Sequence, residues 1–339
     1  MPSLPFAHET WFHDAMPSMD WSFAFETLTL VFLALAVVAT LGIRVAARFM
    51  PGVDVPVLAR IVPFMPFAVR IHLAVSLVGL LSLGFYLSPA MDLQADVAGI
   101  TLGAVMAVVA ILMAIGWHAR TAALILLAAG PIGMLEFGVS PVLQRVDLVG
   151  LAVFVLIIGS GRWSADFEMG RVRDASLIDA AKAIWALRVA AGLALIVVAF
   201  VEKLANPELA LAFLQQHPEL NVAQAIGLGM SDLEFIRMAG AVEVLFGLLL
   251  ISGALPQAII LIAGVPFNAT LWFFGNTELV GHLPIYGAML VVLVYGSHPE
   301  LRPAVSALWP WRTPSARSAA TRPSAPRRAG STGGVPQGA

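Results

Sequence analysis

The 339-residue chain contains no cysteine. Disulfides, thiolate nucleophiles, thiolate metal sites and cysteine-ligated iron–sulfur clusters are therefore excluded within it. Charge is nearly as scarce. Charged residues make up 12% of the chain and hydrophobic ones 59%, whereas a soluble domain carries about 25% charged residues. This leaves too little polar surface to keep the chain in water, and the mean hydropathy of +0.88 agrees. The sequence predicts an integral membrane protein with the lipid bilayer as its first partner. Its apolar segments lack the polar–apolar alternation of a lipid-facing strand, which argues against a closed barrel and for an all-α fold. No HExxH or P-loop sequence occurs. Gly227 and Gly229 sit in a long loop without the strand–helix context of a nucleotide site. Nothing points to nucleic acid.

A membrane-crossing helix needs about 20 mostly apolar residues. Nine segments approach this: 22–48, 64–87, 97–117, 120–139, 144–161, 183–204, 233–252, 256–275 and 282–297. The pattern is one leading helix followed by two sets of four. The expected divisions are an extracytoplasmic segment at 1–21, the leading helix at 22–48, one four-helix unit at 64–161, a second at 183–297 and a tail at 303–339. That tail is rich in Pro, Ser, Ala, Gly and Arg, and reads as disordered and basic.

Basic residues choose the orientation. With the N-terminus outside, 16 of the 19 Lys and Arg residues fall on the cytoplasmic side, and only Arg145, Lys203 and Arg237 fall outside. Trp21 and Trp272 then lie at the outer interface, and Trp117, Trp163 and Trp185 at the inner one. The expected location is a bacterial inner membrane with the C-terminus cytoplasmic.

The two sets of four match each other. A shift of 137 carries Gly116, Phe137, Gly138, Gly150, Gly159 and Ser160 onto Gly253, Phe274, Gly275, Gly287, Gly296 and Ser297. A shift of 118 carries Arg70 and Pro89 onto Arg188 and Pro207. The 19-residue difference fits in one loop around 205–232. Apolar helices match by chance, but glycines and an Arg–Pro pair in register are harder to obtain that way, so a tandem duplication is expected.

Comparison of the two units isolates a polar set. Ionisable residues inside a membrane cost roughly 2.5–3.5 kcal/mol each on insertion scales and often mark function. The second unit carries Glu202, Lys203, Glu243 and Asn268 where the first has Gly84, Phe85, Met106 and Pro131. These four, with Arg237 as a further cation, form the candidate outer-half pocket; the blander reading is a set of helix fasteners. A shallower set in the first unit, Glu136, Arg145 and Asp147, reads as a surface ion-pair network or a second site. Arg70 and Arg188 read as anchors at the inner headgroups. His72 and His118 lie on one side but at different depths, which argues against a haem pair.

At the N-terminus, Leu4-Pro5-Phe6-Ala7 followed by His8 has the look of a signal-peptide end. Cleavage after Ala7 would expose His8, whose amine and imidazole, joined by His13, make a nitrogen set that suits copper. An interfacial segment anchored by Trp11 and Phe12 is the other reading.

The run Arg188-Val-Ala-Ala-Gly192, then Val201-Glu202-Lys203-Leu204, then Glu243-Val-Leu-Phe-Gly247 leading to Gly253, resembles the DoxX family of four-helix membrane proteins. The resemblance covers about 183–297 and, through the duplication, 64–160. The first unit keeps Arg70 but lacks the Lys and the Glu, so any site implied by the resemblance belongs to the second. The resemblance implies a membrane subunit of a quinone-linked redox complex, with quinone as its small-molecule partner and a periplasmic or membrane redox subunit as its protein partner. A carrier or binding protein for a small solute, lipid or metal ion is the alternative, as is a structural membrane partner without ligand. Whether the chain is an enzyme stays open at this level.

Overall fold

A computed structural model of the chain describes residues 19–50, 55–173, 175–274 and 276–310, with side chains for all of these except 272–278. His8, His13 and most of the tail lie outside the described residues. The described part is helical. A short α1 (Trp21–Phe25) leads into α2 (Thr27–Ala46), with the chain extended at Glu26 between them. Asp20 caps α1 by accepting a hydrogen bond from the Ser22 backbone N–H at 2.9 Å. The first set of four is α3 (Met65–Ser82), α4 (Val97–Ile115), α5 (Ala119–Phe137) and α6 (Val146–Ile158). The second set begins with α7 (Leu177–Ala199), passes through the amphipathic α8 (Pro207–Gln216), and continues with α9 (Asp232–Ser252), α10 (Pro256–Phe274) and α11 (Asn276–Gly296).

Among the described residues, seven helices are long and apolar enough to cross a membrane. The chain is therefore a polytopic helical membrane protein. One of the nine expected spans is shorter, Val146–Ile158, while α10 covers 19 residues. The 13 residues of α6 rise only about 20 Å, because Gly159 at φ 90° ends the helix. Helix starts follow local chemistry. Ser176 with Asp179, and Ser231 with Glu234, form reciprocal capping boxes for α7 and α9. Gly116 and Gly253, both left-handed, end α4 and α9.

Within each set the first helix packs on the second and the third on the fourth: α3 on α4, α5 on α6, α7 on α9, α10 on α11. The fourth helices cross over. Helix α6 lies against α7, and α11 lies against α3. Glycines set these crossings. A Cβ on Gly150 of α6 would come within 2.7 Å of the Ala190 Cβ, and one on Gly287 of α11 within 3.2 Å of the His72 Cβ. At the α7–α9 crossing, Gly192 and Gly247 face each other so closely that a Cβ on either would meet the other's carbonyl oxygen at 2.5–2.6 Å. Lipid tails are as apolar as leucine, so close backbone packing, rather than water exclusion, holds such helices together. One apolar core runs from Met65 to Val305 through both sets. Helix α2 stays outside it, docked on α9 with most of its surface open.

The loop around 205–232 is folded. Ala210 and Leu214 of α8 pack with Phe23 of α1 and Ile236 of α9 in a small separate cluster, and the Asp20 N–H donates to the Ala205 carbonyl at 2.8 Å. The extra residues of the second set thus cover one end of α9 and fasten the leading helices to it.

Replacing Gly247 with Leu should overpack the α7–α9 crossing at a cost of about 1–3 kcal/mol. Gly42→Ala, in α2 with nothing within 4 Å of the new carbon, should leave the melting temperature of the detergent-purified protein unchanged or raise it.

Candidate functional site

Three groups of polar side chains are built into the helices, and the sequence-predicted residues divide among them. The first group starts at the end of α7, where the backbone widens into a π turn at Phe200–Leu204 and the Ala205 N–H reaches back to the Phe200 carbonyl at 2.7 Å. Such turns recur at functional sites because the extra residue re-aims side chains. Here they carry Glu202, buried at 2% exposure, and Lys203. The Lys203 ammonium sits 3.1 Å from the Glu243 carboxylate, with 15% and 31% of the two side chains exposed. Glu243 is the twelfth residue of the 21-residue α9, about 17 Å along the helix. The pair therefore lies at hydrocarbon depth, with a third of the carboxylate side chain open on the flank of the bundle.

Two members of the expected pocket belong elsewhere. Arg237 forms an ion pair with Glu26, donates to the Thr29 hydroxyl at 3.3 Å and stacks 4.3 Å over the Phe23 ring. It fastens the leading helices to α9. Glu26, at the break between α1 and α2, competes for the guanidinium more closely than Glu243 or Glu202. Asn268 is exposed on α10, and its amide donates to the Gly264 carbonyl of its own helix at 2.7 Å. Of the five expected pocket residues, Lys203 and Glu243 are brought together, with Glu202 beside Lys203 in the π turn.

The second group corrects the expected surface network of Glu136, Arg145 and Asp147. Glu136 is exposed, but Arg145 and Asp147 are buried at 7% and 5% and lie 3.7 Å apart. They meet although two residues apart because Arg145 precedes the helix, at φ −106°, and Asp147 sits in its first turn. The Arg145 guanidinium also donates to the Gly281 carbonyl of α11 at 3.0 Å. The pair ties the two fourth helices together at their starts.

The third group was read in the sequence as headgroup anchors, and the structure overturns that. Arg70 and Arg188 have no exposed surface. Arg70 donates to the Met113 and Ala114 carbonyls at the end of α4 at 2.5 and 3.2 Å, to Ser160 at 2.9 Å and to Trp163 at 2.9 Å. Arg188 donates to Ile251 at the end of α9 at 3.4 Å, to Ala307 at 2.6 Å and to Val305. The last four carbonyls of a helix lack partners, the helix dipole makes that end negative, and a guanidinium offers five donors. Gly116 and Gly253 admit the guanidinia: a Cβ there would lie 2.6 and 2.2 Å from their nitrogens. Arg44 of α2 joins the second cluster, donating to the Gly253 and Ser306 carbonyls at 3.0 Å each. The helix-capping role could have been suspected from the Arg and Gly positions that recur in both sets.

Among the described residues no group of three or more His, Asp and Glu side chains is arranged to hold a metal ion. The copper set of His8 and His13 lies outside the described residues. The His72 Nδ1–H donates to the Ala68 carbonyl of its own helix at 2.7 Å, and His282 packs against Phe267 with ring centres 4.7 Å apart.

Arg188→Met should strand several buried carbonyls and cost roughly 3 kcal/mol or more, read as a lower melting temperature and folded yield. Arg44→Met, which leaves Arg188 in place, should cost less.

No protein-family model, no curated protein and no solved structure matches the chain. Its function is read from these residues.

Proposed function

We propose that the chain is a DoxX-like protein of a bacterial inner membrane, made of two tandem four-helix repeats behind a leading helix, and that it serves as the membrane subunit of a quinone-linked redox complex. Nine helices cross in this reading, with the N-terminus outside. The repeat reading is supported by position: Arg70 and Arg188 bind helix ends in the same way, and the residues after the two C-terminal glycines include His118 and Leu255, both at positive φ of 47° and 45°.

The observation that carries the functional reading is the Lys203–Glu243 pair at hydrocarbon depth, with 31% of the Glu243 side chain exposed. A molecule reaching it from the side must dissolve in the bilayer and still form hydrogen bonds. A quinone head group does both: its carbonyls accept from an ammonium, and the hydroxyls of its reduced form donate to a carboxylate. The π turn aims Lys203 at this position, and the first set, with Phe85 and Met106 there, has no equivalent. A redox subunit bound to the complex would supply the electrons. A purely structural reading has its own support in the 3.1 Å pair, which fastens α7 to α9.

Labelling with a photoreactive quinone analogue separates the two readings. Glu243→Gln should reduce labelling per folded protein at least roughly tenfold, a loss of one charge-assisted hydrogen bond of about 1.5–3 kcal/mol. Glu136→Gln and Met106→Leu should label like the parent. Normal labelling of an abundant Glu243→Gln protein would contradict the quinone reading. Normal labelling with reduced abundance would favour the fastener.

The orientation has its own test, resting on the basic-residue asymmetry. Reporter fusions after residues 92 and 215 should report the periplasm and fusions after 170 and 315 the cytoplasm. A cytoplasmic signal at 215 would break the nine-helix count.

A further inference from the structure

A cavity lies at the end of the bundle where Gly116 closes α4, away from Glu243. It is a half-open cleft of about 160 Å³ between the start of α5 and the connector after α6, lined by His118, Arg120, Ser160, Asp166, Arg171 and Arg173 among others. Three guanidinia face one carboxylate. That carboxylate is already engaged, since Asp166 accepts from the His118 and Ala119 backbone N–H groups at 3.0 and 3.1 Å and so caps α5. Asp179 lies close to Arg120 and to Lys182. Counted over its described lining residues, three Arg and one Asp, the cleft carries a net positive charge.

The arginines are positioned but not used up. Arg120 donates to the Leu156 and Ile157 carbonyls at 3.1 and 3.3 Å, two of its five donors. An Arg171 guanidinium N–H meets the His118 ring nitrogen at 3.1 Å. The matched corner of the second set is closed. There Leu255 takes the place of His118, and Gln257 the place of Arg120; Gln257 is buried at 2% and donates to the Gly296 carbonyl at 2.6 Å. One corner is filled by a buried amide, and the other is lined by arginines and half open.

We propose that this cleft binds a phosphate group, that of an anionic phospholipid in the cytoplasmic leaflet. Guanidinia match the oxygen geometry of phosphate with paired donors, and basic pockets between helices at the cytoplasmic boundary suit lipid head groups. The surroundings suit acyl chains: Trp117, Phe167 and Met169, next in sequence to the lining residues, are 44%, 46% and 53% exposed. Soluble phosphate offers the same oxygens without the chains. The inference rests on the membrane assignment and the proposed orientation and not on the quinone reading, and its test leaves Glu243 untouched.

The full chain, delipidated in a neutral detergent, is titrated with phosphatidylglycerol and with phosphatidylcholine, and bound lipid is counted by native mass spectrometry. The parent should prefer phosphatidylglycerol. Arg171→Gln with Arg173→Gln, both in the exposed connector, should lose that preference by roughly 25-fold, about fivefold for each cation. Arg48→Gln with Arg60→Gln, an equal charge change at exposed positions elsewhere, should keep it. Equal losses in both double variants, or none in the first, would overturn the proposal. Millimolar inorganic phosphate should leave the preference intact; full displacement would overturn the lipid assignment in favour of a soluble anion. Melting temperatures of both variants should match the parent, so that lost binding is not lost fold.

Discussion

Inside a bilayer no water is available to the last carbonyls of a helix, and the arrangement of this protein depends on how α4 and α9 dispose of theirs. Each ends at a left-handed glycine, and each is met by a fully buried arginine from the first helix of its set. Because the same guanidinium also holds carbonyls beyond the fourth helix, at Ser160 and Trp163 or at Val305 and Ala307, three elements meet at one side chain. Removing either arginine would leave carbonyls orphaned in apolar surroundings. Replacing either glycine by any residue with a Cβ would push the guanidinium away. The arginine, the glycine and the connector are one unit, and they occur twice.

This unit fixes the frame and leaves the remaining polar residues to differ. Near the Asp20 end the second set carries Glu202, Lys203 and Glu243, and a folded α8 fastens the leading helices above them. At the other end the first set carries the arginine cleft, while the second closes the same corner with Gln257. Chemistry at opposite ends in opposite halves fits a scaffold whose two halves share packing and divide their contacts, one with a molecule in the bilayer and one with lipid head groups.

The helical membrane class was legible because long apolar runs have few other meanings at this composition. Glycine accepts positive φ, and Gly116, Gly138, Gly159 and Gly253 end their helices, although the first three fall inside the spans expected from apolar length. Side-chain partners were not. Depth along the sequence suggested that Arg70 and Arg188 reach headgroups, but it carries no information on which way a helix face turns, and both turn inward. Asn268 failed in the other direction, on an outward face of α10. Arg237 was drawn away by Glu26, whose extended backbone interrupts what the sequence presents as one continuous span. Arg145 and Asp147 met because Arg145 precedes its helix, which the two-residue spacing conceals.

The central claim is that the two sets are interleaved, each fourth helix crossing onto the first helix of the other set. The absence of cysteine allows a clean test by paired substitution. Cysteines at Gly150 and Ala190, and separately at Gly287 and His72, start with their Cβ atoms 2.7 and 3.2 Å apart, so each pair must separate by less than about 1 Å to reach the 3.5–4.5 Å of a disulfide. Oxidation of membranes should cross-link both pairs within single chains, seen as faster-migrating monomers on a non-reducing gel. Cross-links found only between chains, or for one pair and not the other, would contradict the interleaved arrangement.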